Sequence, residues 1–282
     1  MKKKIFKIIA TVLILVIVFF ISLPTLLNKA GLHPDYDSKK YNFLNKKAVI
    51  ISTSHSILSK PGETTGKLTG VFASELTVPY YEFTDSGIEV DIASIKGGKI
   101  PIDPESFFYA VKTNSDTRYL EDPILKEKVE NSILIDQLEI DNYDIVFISG
   151  GWGAAYDLGY SETLGEKISQ AYYNPNSVIG GVCHGVLGFL NAKDSLGNLL
   201  IKNKRITGVT NKQIKELGIF FTPQHPEEEL IKAGAIFESK TAFRDVLANL
   251  TIVDDESKFV SGQNQNAGHE TPQKMMEILK SK

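Results

Sequence analysis

The stretch Ser177-Val178-Ile179-Gly180-Gly181-Val182-Cys183-His184-Gly185-Val186-Leu187-Gly188-Phe189-Leu190 decides how the chain is read. An apolar run of strand type ends in Gly-x-Cys-x-Gly, and an apolar pattern of helical type begins at once. This is the shape of a nucleophile elbow, with cysteine where a hydrolase would carry serine. Gly181 and Gly185 remove side chains that would collide in a tight strand-to-helix turn. The turn is expected to hold the thiol at the N-terminus of the following helix, where the helix dipole favours thiolate, the reactive form. Cys183 is the one cysteine of the chain. A free cysteine also serves as a small buried hydrophobe; the flanking glycines and the adjacent His184 favour chemistry.

Around the elbow, strand-like and helix-like segments alternate. Residues 47–53, 88–94, 143–149, 177–182, 204–209, 250–253 and 259–260 read as strands. Residues 70–84 (broken locally by Pro79), 122–134, 163–173, 227–233 and 271–280 read as helices. The run Ala48-Val49-Ile50-Ile51 has the continuous apolar character of a strand covered on both faces. The order predicts an α/β fold: a flavodoxin-like, doubly wound, mostly parallel sheet with helices on both faces. Ligands in such sheets bind beyond the carboxyl ends of the strands. Ser54-His55, Gly150-Gly151-Trp152-Gly153 and Cys183-His184 all follow strands, so the three are expected to converge, with Trp152 and His55 as candidate pocket walls and a structural role for His55 equally open. The bare amides of Gly150 to Gly153 suit an oxyanion hole, with the His184 amide as second donor, though the same glycines would also serve an ordinary turn. Their spacing is not that of a dinucleotide fingerprint. The His184 side chain is open between two roles, a base beside the sulfur and a cap for the turn.

The chain opens Met1-Lys2-Lys3-Lys4-Ile5-Phe6-Lys7 and then runs from Ile8 to Leu23 with Thr11 and Ser22 as polar breaks. Continued to Leu27, this is about the 20 apolar residues that a membrane helix needs. Lysines ahead of the span set the N-terminus in the cytoplasm and the rest outside. A cleaved signal peptide shares the charged start and apolar middle, but no small-x-small site follows Phe20. The expected organisation is an anchor over 1–27, a polar tether over 28–46 and one domain over 47–282, in a single-pass membrane protein. Five of the 31 Lys and Arg residues (2, 3, 4, 7 and 29) precede all 34 acidic ones, leaving the rest of the chain at a net charge near −8. That balance excludes a nucleic-acid partner. The histidines lack metal-ligand spacing, so no metal site is expected.

The ordered set of motifs resembles the DJ-1/PfpI superfamily, of class I glutamine amidotransferase-like fold, and particularly its Hsp31-like branch. The matching pieces are Ser52-Thr53-Ser54, Thr65-Gly66, Phe72-Ala73-Ser74-Glu75-Leu76-Thr77-Val78-Pro79-Tyr80, Asp91-Ile92-Ala93-Ser94 and Pro101-Ile102-Asp103-Pro104-Glu105-Ser106. Gly150-Gly151-Trp152-Gly153, Val182-Cys183-His184-Gly185, Ile206-Thr207-Gly208-Val209-Thr210-Asn211 and Ser261-Gly262-Gln263-Asn264 complete it. The resemblance implies Cys183 as nucleophile, Glu75 buried against its sulfur and sharing a proton with it, and the amides of Gly151 and His184 as the oxyanion hole. It departs at one place. The acidic residue that orients the histidine in the family falls here on Ile214, and Glu216 could substitute only through a shift of the loop.

The activity implied is a glutathione-independent glyoxalase, turning methylglyoxal or a similar 2-oxoaldehyde into lactate or its analogue without cofactor or metal. Repair of glycated protein groups would use the same sulfur. Two other classes remain open: a cysteine peptidase or amidase, which needs a well-oriented Cys–His pair, and a holdase chaperone or stress protein, which needs an exposed apolar patch. The resemblance also implies a homodimer.

Overall fold

The computed structural model describes residues 2–282; Met1, the first residue of the expected anchor, lies outside them. The described residues form nine α-helices and eleven strands. Helix α1 (Lys2–Lys29) is followed by β1 (Lys47–Ser52), a short ribbon of β2 (Ile57–Leu58) and β3 (Lys67–Leu68), α2 (Ala73–Thr84) and β4 (Glu89–Ser94). Next come α3 (Asn114–Tyr119), α4 (Pro123–Glu130), β5 (Ile133–Leu134), β6 (Ile145–Ile148), α5 (Ala154–Asp157), α6 (Glu162–Tyr173) and β7 (Val178–Val182). The chain closes with β8 (Arg205–Ile206), α7 (Asn211–Leu217), α8 (Pro226–Lys232), β9 (Ile236–Phe237), β10 (Thr251–Val253), β11 (Phe259–Gly262) and α9 (Glu270–Ser281).

Seven strands make the central sheet in the order β10-β11-β7-β6-β1-β4-β5, parallel throughout except for the β10–β11 pair at one edge. Alternate residues of β1 explain why it is apolar without a break. Val49 and Ile51 enter a core with Val146, Ile148 and Leu164, while Ala48 and Ile50 enter another with Phe147, Leu76 and Met275. β4 lies on one side of β1 and β6 on the other, so the strand order reverses there and opens a crevice at their carboxyl ends.

Three expectations are corrected. Residues 204–209 give only the two-residue β8, which pairs with β9 outside the main sheet. Residues 122–134 divide into α4 and β5. Pro79 does not break α2, which runs unbroken from Ala73 to Thr84; the missing proline N–H merely leaves the Glu75 carbonyl without its helical donor. The polar segment 28–46 carries no strand, yet it is held along the domain. The His33 amide donates to Asn266, the Lys39 amide to Gln273 and the Phe43 amide to the Ser86 carbonyl, while Leu32 is buried.

Candidate active site

Cys183 stands where β7 ends, with φ +56°, in the left-handed region. Non-glycine residues reach that region at a cost of about 1–2 kcal/mol and keep it only where the surroundings impose it. Here the turn is held between β7 and the Cys183–Phe189 segment, both buried at every position. That segment is a seven-residue 3₁₀ helix rather than the regular helix expected, so the dipole behind the sulfur is short and weak.

Two amides, those of His184 and Gly151, face the sulfur and favour its ionised form. They do not prevail. Burial, followed by the charge of Glu75, pushes the Cys183 thiol well above its usual range, the opposite of the direction expected from the helix dipole.

Glu75 reaches the sulfur from the first turn of α2 and is 1% exposed. Burial raises its carboxyl to about 8, against the opposing pull of a hydrogen bond with Cys183 and of the Gly150 and Gly151 amides. Its Oε2 has no hydrogen-bond partner. Glycine is obligatory beside it: a Cβ on Gly150 would lie 2.4 Å from Glu75 Oε2 and 2.9 Å from the His184 nitrogen. Gly151, at φ +93°, leaves 2.4 Å between such a Cβ and the Phe72 nitrogen. The glycines thus let the β6 turn, the α2 start and the elbow meet at backbone contact.

His184 is also buried. Its Nδ1 lies 3.5 Å from Cys183 Sγ, and its Nε2 has no partner. Burial, with the nearby His225, lowers its pKa to about 3, so the ring is neutral at physiological pH. No carboxylate orients it. Ile214, at the position expected to be acidic, is buried in the core. Glu216 points elsewhere, accepting from the Asp245 amide and lying 3.6 Å from Arg244, and so cannot be the third member. Trp152 takes its expected place on the pocket wall, its ring 4.9 Å from that of His184.

His55 is a further correction. It stacks on Tyr156 at 4.1 Å, with Nε2 2.5 Å from the Ile57 carbonyl, and does not line the pocket. The strand end before it turns aside because Asp157 captures the Thr53 hydroxyl and the Ser54 amide. Two of the three expected strand ends therefore converge, and α2 supplies the third component.

The cavity over Cys183 holds about 700 Å³. Its wall includes residues unmarked by the sequence pattern: Leu32 from the polar segment, Phe107 and Phe108, and Val246. Proximity of His225 to His184 was likewise unsignalled. Among the described residues no cluster of three or more His, Cys, Asp or Glu side chains is arranged to hold a metal ion.

Comparison with known proteins agrees with this fold. The DJ-1/PfpI family profile matches residues 68–246. "Glyoxalase 3" of Candida albicans is 33% identical over 158 residues, covering 55% of this chain and 66% of that protein. "Glutathione-independent glyoxalase HSP31" of Saccharomyces cerevisiae is 28% identical over 230 residues, covering 77% and 92%. The crystal structure of glyoxalase III from Candida albicans superposes with a TM-score of 0.74 at 25% identity, covering 83% of this chain and 97% of that one.

Proposed function

The chain belongs to the Hsp31-like branch of the DJ-1/PfpI family, and from that premise we propose that it is a membrane-anchored, glutathione-independent glyoxalase converting 2-oxoaldehydes to 2-hydroxy acids. One observation carries the reading: a buried carboxyl, Glu75, shares its surroundings with the Cys183 sulfur, while the neighbouring imidazole has no acidic partner.

In this mechanism the pair first loses one proton, leaving a single proton shared between Sγ and the Glu75 carboxyl. Sulfur adds to the aldehyde carbon of methylglyoxal and the shared proton passes to the aldehyde oxygen, giving a hemithioacetal. Glu75, now a carboxylate, takes the hydrogen from that carbon and returns it to the neighbouring one through an enediol. The Gly151 and His184 amides stabilise the negative oxygen at each stage. Water then cleaves the lactyl thioester, and lactate and the thiol are released. Related repair of glycated groups would use the same sulfur.

A cysteine hydrolase would require His184 as an oriented base, and Ile214 and Glu216 leave it without an orienting acid. Helix α1 is 28 residues long, exposed and apolar enough to cross a bilayer. In the proposed arrangement residues 1–27 are the anchor, with the lysine-rich start in the cytoplasm, and residues 47–282 form an extracytoplasmic domain joined by 28–46. The test is lactate formation from methylglyoxal, without glutathione, by the detergent-solubilised full chain. Turnover lost in both Cys183→Ala and Glu75→Gln supports the reading; a wild type with a reactive thiol and no turnover refutes it.

A further inference from the structure

The wall of the Cys183 cavity reaches the end of the apolar helix. Leu32, three residues beyond the end of α1, is part of its wall. The helix end is pinned there: Asn28 donates to the His33 carbonyl at 2.8 Å, the His33 amide donates to Asn266 at 2.8 Å, and a Cβ on Gly31 would lie 2.7 Å from the Leu247 carbonyl. Farther back, the Tyr109 hydroxyl donates to the Phe20 carbonyl at 3.3 Å. A hydrocarbon layer ~30 Å thick takes about 20 helical residues. Counted from Ile5, such a stretch ends at Pro24 and places Phe20 about one helical turn before its outer end. Tyr109 and its neighbour Phe108, a wall residue, therefore fall at the outer margin of the apolar layer.

Three of the segments that wall the cavity also carry exposed apolar side chains. Phe243 is 93% exposed, Phe220 68% and Phe108 52%, with Tyr109 and Leu217 also exposed. All five stand on the three segments that also give the cavity Phe107, Leu217, Ile219 and Val246. Scattered apolar side chains on a surface need no explanation, but exposed aromatic ones on cavity-wall segments, in a chain with a membrane-length helix, have the composition of a bilayer-interface belt.

We propose that this cavity opens onto the lipid bilayer and that the substrates are 2-oxoaldehydes with long alkyl chains, drawn from the membrane. The proposal rests on the glyoxalase reading and on retention of α1. Methylglyoxal occupies little of a cavity whose volume suits a drug-sized ligand. An alkyl chain leaving lipid would exchange one apolar surrounding for another, along Phe108, Leu217 and Val246. The chemistry is unchanged: one water is consumed, hydrogen moves from the aldehyde carbon to the adjacent one, and the alkyl chain takes no part. The anionic 2-hydroxy acid then leaves toward water.

The test uses the full chain in phosphatidylcholine vesicles. Phe220→Trp, in a Trp152→Phe background so that it is the single tryptophan, is compared with Tyr173→Trp in the same background; Tyr173 is exposed at the end of α6, where the chain turns back toward the start of β7. Bromine on the acyl chains should quench the tryptophan at 220 and spare that at 173. In parallel, 2-oxododecanal carried in the vesicles should be turned over with a kcat/KM about tenfold above that for methylglyoxal. The double variant Phe220→Ser, Phe243→Ser should abolish that advantage and leave methylglyoxal turnover intact. Equal quenching at the two positions, or none at 220, overturns the orientation. Methylglyoxal turnover with no gain for the long chain overturns the substrate assignment alone. Failure of the wild type on both aldehydes overturns the glyoxalase reading and this assignment with it.

Discussion

On one side of the Cys183 sulfur stands Glu75, and on the other the His184 ring; both are buried, but they are held in different ways. The carboxyl sits at the start of α2, hydrogen-bonded to the thiol and faced by the Gly150 and Gly151 amides. The imidazole's one polar contact is with the sulfur, through Nδ1, with Nε2 unpartnered and its pKa lowered to about 3. A general base serves best with a pKa near the working pH. Glu75, raised to about 8, meets that condition and His184 does not. The comparison favours proton transfer between adjacent carbons over acyl-group hydrolysis by a histidine-activated thiol.

The largest way to break the comparison is Glu75→Gln, which keeps the shape and removes the proton carrier. Methylglyoxal turnover should fall about 10³-fold, read as kcat by lactate assay. A smaller effect sharpens the other side: His184→Ala keeps its backbone amide and should cost at most about tenfold, since no acid orients the ring. A Gly150→Ala substitution tests the backbone contact that lets the two sides meet. It should destabilise the domain by about 2–4 kcal/mol in chemical unfolding, because the Cβ meets Glu75, Val182 and His184 backbone or carboxyl atoms below 3 Å.

The smallest effect is on stability against pH. Glu75 has a native pKa raised from 4.5 to about 8. The native state therefore holds this proton more tightly than the unfolded chain, and the associated stability is full below pH 4.5 and lost as pH rises through about 8. The Tm difference between Glu75→Gln and wild type should move in favour of the variant across that window. A constant difference would mean that Glu75 titrates normally.

Several parts of this arrangement were legible in the residues. Gly-x-Cys-x-Gly after an apolar run announced the turn, and the uninterrupted Ala48 to Ile51 announced a central strand. Glu75 was legible only through the family resemblance, because its burial depends on how α2 packs over β1, β4 and α9, which no local pattern encodes. The direction of the Cys183 shift is hidden from the sequence for a related reason: a helix dipole can be inferred from sequence, whereas complete burial beside a carboxyl cannot. Leu32 gave no signal at all, since a single apolar residue in a polar segment becomes a pocket wall only through the hydrogen bonds that dock the segment. His55 misled because its strand end is captured by Asp157, more than a hundred residues away.

The most direct measurement is the pH dependence of kcat/KM for methylglyoxal in the wild type, Glu75→Gln and His184→Ala. The account predicts an ascending limb near pH 8, belonging to the Glu75–Cys183 pair, retained in His184→Ala and accompanied by a collapse of turnover in Glu75→Gln. Turnover surviving in Glu75→Gln but lost in His184→Ala, with the limb moved toward the ordinary histidine range, would contradict it.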